Sequence, residues 1–183
     1  MLTPPDTYAA WSGCLELFES GSQDEAVLLA MSAGSLSWTG GVATLFSERV
    51  SEALNQRLAR VANDISRDLR VAGDHGVLAN ALLNARRKLA LLHRFSCCSP
   101  FPGELAELLQ NQVRLYAEQA QGSLEESARA DRSGQLATIL RNNSLLRYAE
   151  QAVQPPNGPE HASVQRPAPA STSGANRRRT FLT

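Results

Sequence analysis

Two adjacent cysteines, Cys97 and Cys98, are the residues whose chemistry the sequence most readily suggests. They lie in the stretch RFSCCSPFPG, residues 94–103, between a basic helix end and two prolines. A thiolate is a nucleophile and a redox group, and the nearby His93 and Arg94 would lower a cysteine pKa. The carboxyl end of the preceding helix would raise that pKa through the helix dipole. A thiol redox sensor or enzyme at these cysteines is one hypothesis. Two small apolar residues packed beneath the prolines are the alternative.

The same cysteines could also contribute to a zinc site. His93, Cys97 and Cys98 could converge, with Cys14 as a fourth ligand. Zinc sites normally separate their cysteines by two or more residues, because adjacent side chains point apart. The spacing therefore argues against a metal, and we expect no metal and no cofactor.

A run of basic residues just before the cysteines forms the sharpest charge cluster in the chain. Its members are Arg86, Arg87, Lys88, His93 and Arg94 on a predicted fourth helix, with Arg67 and Arg70 across a turn. Such a patch could contact a nucleic-acid backbone or an acidic partner helix. It could also be a solvated face whose arginine stems cover apolar surface. Interleaved aromatic residues and a short helix-turn-helix are not evident, so nucleic-acid binding is the alternative hypothesis.

Residues 153–183 differ abruptly in composition from the rest of the chain. They are rich in Pro, Ala, Ser and Gly, and cannot bury enough apolar surface to offset the entropy of ordering. They hold four arginines against one glutamate, a net charge of +3, which leaves −3 for residues 1–152 of this neutral chain. The sequence therefore predicts a disordered tail with a basic cluster, Arg177, Arg178 and Arg179, that could contact a partner or a polyanion.

Residues 1–152 carry the periodicity of helices. Apolar residues recur at spacings of three and four, aromatic residues are sparse, and Ala and Leu are abundant. Glycines and prolines divide this pattern into five to seven helices, and a long one spans 42–71 without either residue. The spacing Ser22-x-x-Glu25 predicts a capping box for the second helix. The sequence thus predicts a single all-α helical-bundle domain around that long central helix.

Three further patterns within the domain lead to more specific expectations. The long helix is expected to bury Val42 and Leu45 together with Phe46, Val50 and Ala53. The fifth helix follows Pro102-Gly103, and its expected core face is Leu105, Leu108, Leu109, Val113 and Tyr116. The pattern fades over 119–135, where Ser123-x-x-Glu126 could restart a helix, and a helical stripe returns from Leu136 to about 151.

The predicted fourth helix has apolar residues on two opposite sides. One side follows the alternating spacing of an antiparallel seam and comprises Leu78, Leu82, Ala85, Leu89 and Leu92. Leu83 and Leu91 lie on the other side, which means either full burial or contact with another chain. We therefore expect Leu83 and Leu91, with the basic residues Arg86, Arg87, Lys88 and Arg94, to bind a partner.

Several function classes lack their usual sequence signals. The chain has no GxxxxGK[ST], HExxH, GxSxG or CxxC motif, so we expect no catalysis. We expect a cytoplasmic protein, because a secretory signal, a membrane-length apolar run and an even cysteine count are missing. The leading hypothesis is a non-catalytic helical protein–protein interaction module of a bacterial cytosol. It would be an adaptor, chaperone or assembly accessory that binds another protein, or itself as a homo-oligomer.

Overall fold

The computed structural model describes residues 2–72, 74–131 and 133–152, and all regular structure in these ranges is helical. The elements are α1 (Tyr8–Ser20), α2 (Asp24–Ser32), α3 (Gly41–Val71), α4 (His75–Ser96), α5 (Gly103–Ala130), α6 (Gln135–Asn142), a 3-10 turn (Leu145–Arg147) and α7 (Tyr148–Ala152). The predicted all-α bundle with a long helix is confirmed. The predicted disordered tail lies outside the described residues.

Gly21 ends α1 in the left-handed conformation, with φ at 74°. The Gly21 N–H donates to the carbonyl of Phe18 at 3.1 Å, and the Ser22 N–H donates to that of Leu17 at 3.2 Å. This pair of hydrogen bonds is a Schellman motif, which a glycine permits because it has no Cβ. The Arg57 guanidinium of α3 fills the space beside this glycine.

The predicted capping box at Ser22 is wrong. Gln23, at φ 57°, occupies the N-cap position of α2, and its side chain makes no capping hydrogen bond. The Glu25 carboxylate accepts from Arg94 rather than from the backbone N–H of Ser22. The physical reason is that Ser22 already belongs to the end of α1, where its backbone N–H completes the Schellman motif.

The helix α4 contacts more of the fold than the long helix α3 does. It packs against α2, α3, α5, α6, the 3-10 turn and α7, whereas α3 packs against α1, α4 and α5. Asp74 caps α4, because its carboxylate accepts from the Val77 N–H at 2.8 Å. The centre of the bundle is therefore α4 as well as α3.

Aromatic side chains join the first half of the chain to the end of α4. Phe18 of α1 stacks on Phe95 of α4 with ring centroids 3.9 Å apart. Trp11 contacts the ring of Phe46 on α3 at 5.3 Å, and Phe101 lies 5.6 Å from Phe95. The turn that carries the cysteine pair is thus fixed on both sides by buried aromatic rings.

The second half of the chain differs from the expected pattern in two places. The helix α5 runs without a break through 119–130, and the hydroxyl of Ser123 donates to the Gln119 carbonyl inside it rather than starting a new helix. The expected stripe from Leu136 to 151 is interrupted after α6, where Ser144 caps the 3-10 turn. Buried small residues on α5, such as Ala117, keep its long polar stretch attached to the bundle.

Candidate partner-binding surface

The two adjacent cysteines point into different environments. Cys98 is buried, 3.9 Å from the Ser32 hydroxyl of α2, and burial raises the pKa of its thiol to about 11. Cys97 is exposed, and its Sγ lies 3.7 Å from Nε2 of His93 one turn earlier. Burial also raises the pKa of the Cys14 thiol. Of the three thiols, Cys97 is therefore the accessible one.

His93 and the three cysteines, considered above as a possible zinc site, are not grouped as metal ligands in the described part of the chain. No group of three or more His, Cys, Asp or Glu side chains within these residues could hold a metal ion. The ring of His93 packs edge-on to Tyr148 at 5.5 Å, and burial lowers the His93 pKa.

The cations of α4 are directed to different neighbouring helices. Lys88 Nζ lies 3.1 Å from a carboxylate oxygen of Asp64 and 3.6 Å from one of Asp68, both on α3. Arg94 donates to both carboxylate oxygens of Glu25 on α2, at 2.6 and 2.7 Å. These hydrogen bonds are the main reason why the pKa of Glu25 is lowered. Six residues on a helix correspond to about 120° of rotation, so these two cations do not share a face.

The other residues of the expected partner site are placed less favourably for contact with a second chain. Leu83 and Leu91 are both partly buried, and Leu91 packs against the core. Arg86 is also partly buried, while Arg87 is exposed. Leu83 and Leu91, the apolar residues on the second side of α4, are thus partly covered by this chain itself. The tail residues Arg177, Arg178 and Arg179 lie outside the described residues.

An open groove of about 720 Å³ lies between α3 and α5. Its lining includes Ser47, Glu48, Ser51 and Glu52 of α3 and Glu104 and Leu108 of α5, and we call it the α3–α5 groove. None of its described lining residues is basic. The groove is therefore a concave, acidic surface between two long helices.

The helices that form the α3–α5 groove also expose large apolar side chains. Leu108, in the lining, is 49% exposed, and Leu115, two turns further along α5, is 58% exposed. Leu45 of α3 is 57% exposed and lies on the same face as Glu48 and Glu52, because residues three and seven apart face the same side. Leucines therefore flank the acidic groove on both helices.

The expectation that Leu45 and Leu108 belong to the core is wrong, as it is for Val42, which is 42% exposed. Each leucine lies next to a residue that is buried, Phe46 on α3 and Leu109 on α5. Adjacent residues are 100° apart around a helix, so a stripe centred on the buried residue leaves its neighbour at the edge. Glu48 lies three residues after Leu45, and Glu104 lies four residues before Leu108, so each glutamate is on the same side of its helix as the leucine. These glutamates are the sequence signal that could have identified the edge of each stripe.

The carboxylates of the groove are largely available for a partner. Within the ranges the structure describes, Glu48 and Glu104 take part in no salt bridge. Glu52 is 3.9 Å from Arg49 and accepts a hydrogen bond from the Gln56 side-chain amide at 3.2 Å. The stronger contact of Arg49 is with Glu19 of α1, and this hydrogen bond raises the arginine pKa. The shorter contact of Arg49 is thus with α1, and its contact with Glu52 in the groove is longer.

A second concavity, of about 500 Å³, lies between α5 and α6. Its lining carries both charge signs, with Glu125 and Arg129 on α5 and Arg141 on α6. It therefore shows no preference for a partner of one charge.

Comparison with known proteins does not identify a relative. No protein-family model matches the chain, and no curated protein and no solved structure matches it either. None of the helices that the structure describes combines the length and hydropathy that a bilayer-spanning segment requires. Function must therefore be inferred from the residues of the groove themselves.

Proposed function

We propose that this chain is a non-catalytic helical interaction module that binds a basic, amphipathic segment of a partner protein in the α3–α5 groove. The observation that carries the proposal is the combination of Glu48, Glu52 and Glu104 with the exposed Leu108 between two packed helices. A groove with apolar contacts is a common way to bind an amphipathic helix, and its charge selects the sign of the partner.

The leucines and the carboxylates contribute differently to such binding. Covering the exposed half of Leu108 or Leu115 would contribute about 1 kcal/mol each, because full burial of a leucine contributes roughly 1.5–3 kcal/mol. An exposed ion pair contributes only about 0.2–1 kcal/mol, so the glutamates mainly determine association rate and specificity. Binding should therefore depend on both kinds of residue and weaken with salt.

The nucleic-acid alternative has less support than the interaction module. Two of its four proposed α4 cations, Lys88 and Arg94, already bind carboxylates of this chain. A thiol reaction at Cys97 is a second candidate, because that thiol is exposed and lies 3.7 Å from the His93 imidazole. Free cysteines, two of the three buried, are in keeping with the cytosol as the proposed compartment.

The proposal is tested by selecting peptides from a random display library against the full chain. We expect the enriched peptides to combine Arg or Lys with Leu or Phe. Their affinity for Leu108→Ser and for Glu52→Lys should fall about fivefold, the loss expected for about 1 kcal/mol.

Two matched variants serve as controls for that selection. Leu146→Ser removes a leucine that is 47% exposed on the 3-10 turn, and Glu126→Lys changes an exposed charge at the far end of α5. Neither should change the affinity appreciably. Enriched peptides that lack basic residues, or that bind the two groove variants as tightly as the native chain, would refute the proposed function.

A further inference from the structure

The chain itself contains a segment with the chemistry that the groove requires. Residues 177–183, RRRTFLT, place three arginines one residue before a phenylalanine and a leucine. We infer that this segment occupies the α3–α5 groove of its own chain and competes there with the partner. The inference rests on the proposed function, since it assigns one particular occupant to the same groove.

Charge complementarity is the first argument for this occupant. The segment carries three positive charges, and the groove presents Glu48, Glu52 and Glu104 with no described basic residue in its lining. Other carboxylates of the domain, such as Asp24, Glu25 and Asp64, already pair with arginine or lysine of the bundle. Among the described residues, Glu48 and Glu104 form no ion pair with the bundle, so both carboxylates can bind additional cations.

Apolar complementarity is the second argument. Phe181 and Leu182 follow the arginines by two and three residues, and exposed leucines flank the groove glutamates on both helices. Seven extended residues reach about 23 Å. The stretch of α3 from Leu45 to Glu52 is about 10 Å long. The segment is therefore long enough to place arginines over the glutamates and Phe181 on a leucine at the same time.

The length of the connection permits this contact within one chain. Residues 153–176 separate the end of α7 from Arg177, and 24 residues reach at most about 80 Å. A domain of about 150 residues has a radius of gyration of about 15 Å. The segment can therefore reach the groove from the end of α7 whichever side of the bundle that end lies on.

The test uses the full chain and a dye-labelled synthetic peptide of residues 174–183, GANRRRTFLT. Its binding is measured by fluorescence anisotropy to the native chain and to the triple variant Arg177→Ala, Arg178→Ala, Arg179→Ala. The native segment should block the groove, so the triple variant should bind the peptide at least about tenfold more tightly. Adding Glu48→Lys and Glu52→Lys to the triple variant should abolish that binding.

A matched pair of charge changes away from the groove, Asp6→Lys with Glu126→Lys, should leave peptide binding to the triple variant unchanged. Both positions are exposed, and thermal unfolding of each variant checks that the fold is retained. Light scattering of the native chain and the triple variant then distinguishes the two origins of the segment. A native dimer that dissociates in the triple variant would mean that the segment of a second copy occupies the groove, which overturns the assignment to the same chain.

The remaining outcomes separate the inference from the proposed function. Equal peptide affinity for the native chain and the triple variant overturns the inference. The proposed function then stands if display-selected peptides still depend on Glu52 and Leu108. Binding to the triple variant that ignores Glu48→Lys and Glu52→Lys also overturns it, because the peptide then binds elsewhere. Absence of peptide binding to the triple variant overturns the inference as well. The proposed function is then tested independently by the display selection.

Discussion

Replacing Gly21 with alanine tests the junction between α1, α2 and α3. The added Cβ would lie 1.9 Å from a terminal nitrogen of Arg57, so the guanidinium must move. That guanidinium donates to Asp24 at 2.7 Å, and burial raises the pKa of Asp24 even though Arg57 lowers it. Moving the arginine therefore leaves a partly buried carboxylate without its partner.

The size of the effect has two contributions. An L-residue in the left-handed conformation costs roughly 1–2 kcal/mol. A buried polar group that loses its partner costs about 1–3 kcal/mol. We take the lower part of this range, about 1–2 kcal/mol, for the loss of the Arg57–Asp24 contact, because the flexible guanidinium end of Arg57 can move. We expect Gly21→Ala to lower the free energy of unfolding by about 2–4 kcal/mol, measured by urea denaturation.

Two controls make this prediction refutable. Gly13 lies inside α1 with no atom within 4 Å of a Cβ, so Gly13→Ala should stabilise the protein by about 0.5–1 kcal/mol. In an Arg57→Ala background, Gly21→Ala should cost only the backbone contribution of roughly 1–2 kcal/mol. A change below about 1 kcal/mol for Gly21→Ala in the native background would refute the reasoning, since even the backbone contribution would then be missing.

The remaining predictions concern packing, thiols and pH. Gly34→Ala should destabilise the protein by at least about 2 kcal/mol in urea denaturation, because its Cβ would lie 2.7 Å from the buried Trp11 ring. Iodoacetamide at pH 8 should modify Cys97 but not Cys98, whose pKa is about 11, as read by peptide mass mapping; equal labelling would contradict this. The hydrogen bonds from Arg94 lower the pKa of Glu25 from its ordinary value of 4.5. The Arg94–Glu25 ion pair therefore stabilises the fold above that ordinary value, and this stabilisation is lost as the pH falls through the lowered pKa. Glu25→Gln should therefore lose less stability between pH 7 and pH 3 than the native chain.

Local signals predicted the helices because the helix ends depend on nearby residues. Gly21 requires only its own backbone freedom, and Asp74 needs only an N–H three residues away. The same local reasoning failed at Ser22, whose N–H had two possible uses. That N–H could donate either to the Leu17 carbonyl at the end of α1 or to the Glu25 carboxylate in a capping box of α2. Local sequence does not show which of these two hydrogen bonds is the more stable.

The candidate site could not be predicted because it depends on which helices pack together. The helical pattern placed Leu45 and Leu108 on buried stripes, and it could not show that α3 and α5 leave a groove between them. The same holds for Lys88 and Arg94. Their sequence positions form a cluster, while their partners lie 24 and 69 residues away on other helices.

The ion pairs of Lys88 and Arg94 also depend on the rotation of α4 about its own axis. Because Leu83 and Leu91 make a second side of α4 apolar, leucine burial selects the rotation of α4 less sharply than it would for a helix with one apolar stripe. A slip of one residue turns the helix by about 100° and would point both cations away from Asp64 and Glu25. Exposed or partly buried pairs add little stability, yet here they would distinguish one rotational alignment from its competitors. The charges of α4 thus favour one rotation of this helix within the bundle.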